Sequence, residues 1–253
     1  MTAMLESSVP RYVGAAFVFQ FCTSLAAGLL SRSMLSGDVS DVIGAAGADP
    51  VRLRFIIMLE LSTSVGIIAL TSLLYVALRR TVRWMATVAF ALWLAEATVL
   101  AVSMIGLYEL LDLGTTSAAP GSTLGLSDAA VGSFALGLHD HAASMGMLFA
   151  CVGALLWYAL FIRTRFVPRW LGLWGLASMS LVAVATLLDV WDAALQPSML
   201  LYAAYMPFEL VVGLWLLVKG SPGRPTTRGA TSPETRVALD VRTADTADTH
   251  ATR

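Results

Sequence analysis

"WMATVAFALWLAEATVLAVSMIG", residues 84–106, decides the fold. A helix needs about 20 residues to cross a hydrocarbon core, and this run is long enough with Glu96 as its sole ionisable side chain. Arg79, Arg80 and Arg83 crowd its beginning. It reads as a transmembrane helix with an acid near its middle.

Working outward, five further runs have the same character, at 12–30, 55–77, 139–162, 170–190 and 199–218. The whole composition agrees: hydrophobic residues make up 57% of 253 and charged ones 13%, with a mean hydropathy of +0.76. Such a chain is an integral membrane protein. Helices are its open route across lipid, because an exposed strand edge leaves backbone groups unpaired at several kcal/mol each. The period-two alternation of a membrane barrel is absent. The first run could be a signal peptide, but only Arg11 precedes it as a base and its apolar length exceeds a usual signal core, so it is read as retained.

Charge position sets the expected orientation. "RRTVRW" (79–84) and "RTRFVPRW" (163–170) are short, basic and free of acids, which places both links in the cytoplasm. The links 31–54 and 107–138 carry Asp38, Asp41, Asp49, Glu109, Asp112 and Asp128, and "DVWDAALQP" (189–197) has no base. These three are expected outside, although Arg32, Arg52 and Arg54 run against the pattern. The fold class is therefore all-α, a polytopic bundle of six transmembrane helices with both termini cytoplasmic. The net charge of −1 offers nothing to nucleic acid.

Residues 1–220 form the membrane domain. The remainder, 221–253, is rich in Ser, Thr, Pro and Arg with little to bury, and is expected to be a disordered cytoplasmic tail. Segment 113–127 reads as a loop, and "DAAVGSFALGL" (128–138) as a short surface helix leading into the fourth span. Cys22 and Cys151 lie in apolar runs and read as two small buried hydrophobes rather than a disulfide.

Three stretches carry a family resemblance: "RSMLSGD" (32–38) after the first span, "FVPRWLGLWGL" (166–176), and "FELVVGLWLLVKG" (208–220). Together with the order and spacing of the spans over residues 10–220, they resemble the bacterial membrane family of domain of unknown function 4386. The resemblance implies a six-helix protein of the bacterial cytoplasmic (inner) membrane, with the lipid bilayer as its surroundings. It supplies no activity and no catalytic residues. The acid-rich first outer loop and the long tail depart from the family pattern.

Chemistry must come from polar residues inside the spans, which are costly there and face the bundle interior. Helical spacing puts Gln20, Thr23 and Ala27 on one face, Glu60, Ser64 and Thr71 on another, and Tyr202, Tyr205 and Glu209 on a third. Asp189 closes a stripe in the fifth span. Glu60, Asp189, His139 and His141 are expected near the outer surface, whereas Glu96 and Glu209 are expected near mid-span. No Lys or Arg lies within a span to neutralise these two, and a charged carboxylate at a helix centre costs about 2.5–3.5 kcal/mol. Either they hold protons or a cation joins them. Pro207, read as an internal kink that frees the carbonyl of Ala203, adds a broken helix beside Glu209.

"HDH" (139–141) brings a metal to mind, but its histidines stand about 200° apart on a regular helix. One of them can face the interior. That one with acids drawn from Glu60, Asp189 and Glu209 would make a three-ligand zinc site; a hydrogen-bonded polar rim is the alternative. No nucleophile elbow, glycine-rich phosphate loop or paired Cys ligands mark an enzyme. Three classes stand: a transporter of a small solute, proton or cation through an outward-facing polar vestibule, a membrane-embedded metal-dependent hydrolase, and a structural or regulatory component. Six spans are few for a lone transporter, so the first class fits a homo-oligomer.

Overall fold

The computed structural model describes residues 2–119, 125–191 and 204–221, with side chains from Ser8 onward. The expected tail, the centre of the 113–127 loop and the first part of the sixth run lie outside the described residues. All regular structure among the described residues is helical: α1 Thr2–Met34, α2 Val39–Ala48, α3 Pro50–Leu78, α4 Arg83–Ser117, α5 Leu126–Thr164, α6 Arg169–Trp191 and α7 Met206–Lys219.

Five of these, α1 and α3 to α6, are long and apolar enough to cross a membrane. α7 covers the later part of the expected 199–218 span in 14 residues. Leaving α2 aside, each helix packs on the next in the chain and α7 returns to α1, closing a ring. Large apolar side chains such as Leu29, Val65, Val102, Leu173 and Val184 stay exposed around its outside. In water such a surface would be a liability; against acyl chains it is the expected one. Cys22 lies on this exposed side rather than inside, while Cys151 is buried.

Two helices run further than their apolar cores. At 1.5 Å per residue the 35 residues of α4 and 39 of α5 reach about 52 and 58 Å, against a hydrocarbon core of about 30 Å. Among the described residues, the loop expected over 113–127 and the short surface helix expected over 128–138 are thus replaced by continuations of the spans, α4 running to Ser117 and α5 starting at Leu126. The cause is a cover for them. α2, absent from the sequence expectation, packs Val42, Ile43 and Ala46 against Leu107, Leu110 and Leu111 of α4 and Ala135 of α5, forming a second core. α2 approaches α4 backbone to backbone, because a Cβ on Gly114 would lie 2.6 Å from the Gly47 nitrogen.

Local signals fix the ends of α2. Gly37 takes φ +107 in the turn from α1, a region that glycine enters without steric cost. Asp38 precedes the helix in an extended conformation. Asp49 closes α2 and opens α3, where its side chain accepts from the Arg52 nitrogen at 3.0 Å and Pro50 follows.

The first core fills the ring from the opposite side, centred on Phe17, Leu70, Trp157, Tyr158, Phe161 and Phe208. Between the cores the packing turns polar. On α3 the second core ends at Ile57 and the first begins at Ile67, with Thr63 and Ser64 buried between them. Ser103 occupies the matching gap on α4.

Candidate functional site

Glu209 sits in the first turn of α7, not in the middle of a helix. Pro207 stands at the helix start, where its missing N–H costs no hydrogen bond, so the expected kink gives way to a helix beginning. Trp174 holds this start in place by donating from Nε1 to the Ala204 carbonyl at 3.2 Å. Phe208 packs edge-on against Trp174 and Tyr158, with centroids at 5.9 and 4.9 Å.

This aromatic wall aligns three hydroxyl and carboxyl groups. Tyr205 Oη donates to Glu209 Oε1 at 2.6 Å, and Tyr158 Oη lies 3.3 Å from Tyr205 Oη. A phenol has one proton. Since Tyr205 gives its own to Glu209, the Tyr158 proton points to Tyr205. The chain runs Tyr158 to Tyr205 to Glu209, and Tyr158 is 0% exposed.

Glu96 comes to this chain from α4. Its carboxyl lies within electrostatic reach of Glu209 and of the Tyr158 hydroxyl. Trp93, one turn earlier, fixes α4 against α5 by donating to the Ala150 carbonyl at 3.1 Å. Both glutamates are only half-buried despite their place in the ring. Among the described residues no hydrogen bond reaches the Glu96 carboxyl. Polar atoms with no partner also line the interior: Gln20 Oε1, Thr71 Oγ1 and Trp157 Nε1 are enclosed and unsatisfied. Buried polar groups are normally paired, so these have hydrogen-bonding capacity to spare.

The other expected residues fall elsewhere. Gln20 lies on α1 against Gly66 of α3, and Thr63 of α3 donates to Thr23 of α1 at 2.9 Å. Glu60 is half-buried on α3, and Asp189 is half-buried near the end of α6. The helix is regular through the histidines, and they diverge as their spacing requires. His139 is half-buried, its backbone close to Gly106 of α4 and its Nδ1 enclosed and unpaired. His141 is exposed and its Nδ1 meets the Gly137 carbonyl at 2.6 Å. Among the described residues no three His, Cys, Asp or Glu side chains are grouped to hold a metal ion.

Tyr158 escaped the sequence reading. It is the one hydroxyl-bearing side chain in "GALLWYALFI" (153–162), and that isolation was its signal.

A ring of helices with an apolar exterior, five of them of membrane-crossing length, defines a polytopic membrane protein. The chain belongs to the family described as Domain of unknown function (DUF4386), which matches residues 12–220. No match was found among the curated proteins or the solved structures.

Proposed function

We propose that this protein is a six-span transporter of the bacterial cytoplasmic membrane, with both termini cytoplasmic, moving a proton, cation or small solute past Glu96 and Glu209. The observation that carries the reading is the directed chain from Tyr158 through Tyr205 to Glu209, with the second carboxyl of Glu96 beside it. Two acids in a ring without an intramembrane base attract a cation or share a proton. A phenol chain offers the proton a short path of exchangeable groups. The orientation is supported by the bases gathered at the α3–α4 and α5–α6 turns. The sixth crossing is read from the apolar run 199–218 of the sequence, whose later part is α7.

The experiment is flux into vesicles carrying the purified protein and an internal pH indicator. An imposed cation or proton gradient should produce a pH change with wild type, and Glu96→Gln and Glu209→Gln should each abolish it while remaining folded. Equal flux from wild type and both variants would remove the transport reading.

A further inference from the structure

One end of the bundle gathers the bases. The α3–α4 turn carries Arg79, Arg80 and Arg83, and the α5 end carries Arg163, whose Nη1 reaches the Met85 sulfur of α4 at 3.5 Å. Sequence adds that no acid occurs between Glu60 and Glu96 or between Asp140 and Asp189. Neither turn can therefore neutralise itself.

Against this background lies a surface groove of about 720 Å³, lined by Thr81, Val82, Arg83, Trp84, Thr87 and Val88. Its lining combines two chemistries. Thr81, Arg83 and Thr87 bring polar groups, while Trp84 and Val88, one turn apart on α4, form an apolar wall. Trp84 is 65% exposed, too much for a core residue of its size, and it sits where indoles anchor at a membrane interface. The Arg79 guanidinium stays nearby, held over the Tyr75 ring at 5.6 Å.

We propose that this groove binds an anionic phospholipid from the surrounding leaflet, with its phosphate on Arg83 and its acyl chain along Trp84 and Val88. Guanidinium suits phosphate because its planar fork matches two oxygens at once. A free phosphate leaves the apolar wall uncovered. A zwitterionic lipid covers the wall but brings a cation beside the arginines. An anionic lipid satisfies both halves. The inference rests on the reading that this end of the ring meets the membrane surface, and it is independent of what passes Glu96 and Glu209.

The test is native mass spectrometry of the full chain in detergent, supplied with phosphatidylglycerol, with phosphatidylcholine of the same acyl chains, or with inorganic phosphate. Phosphatidylglycerol should be retained on wild type in preference to both others. Arg83→Gln should lower its retention roughly fivefold, the size expected for one base at a charged surface. Trp84→Ala should lower it as well, and Arg165→Gln, on the other turn, should leave it unchanged. Equal retention of the two lipids by wild type overturns the proposal with no variant needed. So does displacement by inorganic phosphate, or an Arg165→Gln loss equal to that of Arg83→Gln. No flux is measured, so a failure here and a failure of the transport reading are distinct.

Discussion

Tyr205 and Glu209 stand one helical turn apart at the start of α7, and the phenol of the first donates to Oε1 of the second at 2.6 Å. The pair exists because Tyr205 stands just before the helix while Glu209 occupies its first turn, where the helix dipole favours negative charge. Tyr205→Phe removes the donor and strands Tyr158 without its acceptor. The expected loss is about 1–2 kcal/mol by denaturant unfolding in detergent. Tyr158→Phe should cost less, since it leaves the 2.6 Å bond intact. The reverse order would mean that the chain does not run toward Glu209.

Glu96 and Glu209 should behave as a unit. Glu→Gln keeps the shape and the hydrogen-bonding capacity of a protonated carboxyl, so each single variant should remain folded while losing cation or proton coupling. The double variant should then lose little beyond either single one, a non-additivity expected of groups sharing one site. The measurement is flux together with thermal stability, with and without candidate cations. Additive losses would show two separate acids.

Gly47 and Gly114 bring the backbones of α2 and α4 together, leaving no room for a Cβ on either. A methyl at Gly114 meets backbone rather than a yielding side chain, so Gly114→Ala must push α2 away. The expected cost is about 1–3 kcal/mol, as for other overpacked sites, accompanied by faster proteolysis within 35–49. Gly44→Ala on the same helix has nothing within 4 Å of the new methyl and should be silent. An equal effect from both would dissociate α2 from this contact.

Much of the ring was legible because its signal is repetitive: long apolar runs, two of them opened by an Arg-Trp pair at Arg83 and Arg169, mark the membrane-crossing helices. α2 was not, since its ten residues are mostly small and its apolar face is three residues wide, Val42, Ile43 and Ala46. Once α2 was missed, Glu109 and Asp112 read as loop charges. Leu107, Leu110 and Leu111 nonetheless carried the helical spacing that keeps α4 going. Pro207 was ambiguous for a different reason. A proline at a helix start and one inside a helix differ only by where the helix begins, which the apolar run does not mark. The link from Tyr158 to Tyr205 depends on how α5 and α7 pack, and no local pattern encodes that.

The histidines should separate cleanly. His141→Ala removes an exposed ring bonded to its own helix, and should change stability by no more than about 0.5 kcal/mol. His139→Ala removes a half-buried ring whose Nδ1 is enclosed, with an expected cost of about 1–3 kcal/mol. Metal analysis of the purified wild type and both variants adds the chemical readout. Bound zinc lost equally from both variants would point to a chelating, irregular turn, contrary to the regular helix through 139–141.

Arg52 explains an exception to the charge pattern. With Arg32 and Arg54 it places base on the side expected to be outside, where the rule for orientation disfavours it. Its guanidinium is committed locally: Nη2 donates to the Leu30 carbonyl at 3.2 Å and to Ser33 Oγ. Those groups lie at the C-terminal end of α1, where the helix dipole favours a cation. Arg52 is thus a cap for α1 carried by α3, and it ties the two helices together beside α2. Arg52→Ala should lower stability by about 1–2 kcal/mol through the lost cap while leaving orientation unchanged. Reporter fusions after Arg80 should still read cytoplasmic and those at 113–119 external. Replacing Arg79, Arg80 and Arg83 together should do the opposite, weakening the orientation signal with little loss of packing, since all three are exposed. If Arg52→Ala instead changed the fusion pattern and left stability untouched, Arg52 would be acting as a topological signal, and the contacts with Leu30 and Ser33 would be incidental.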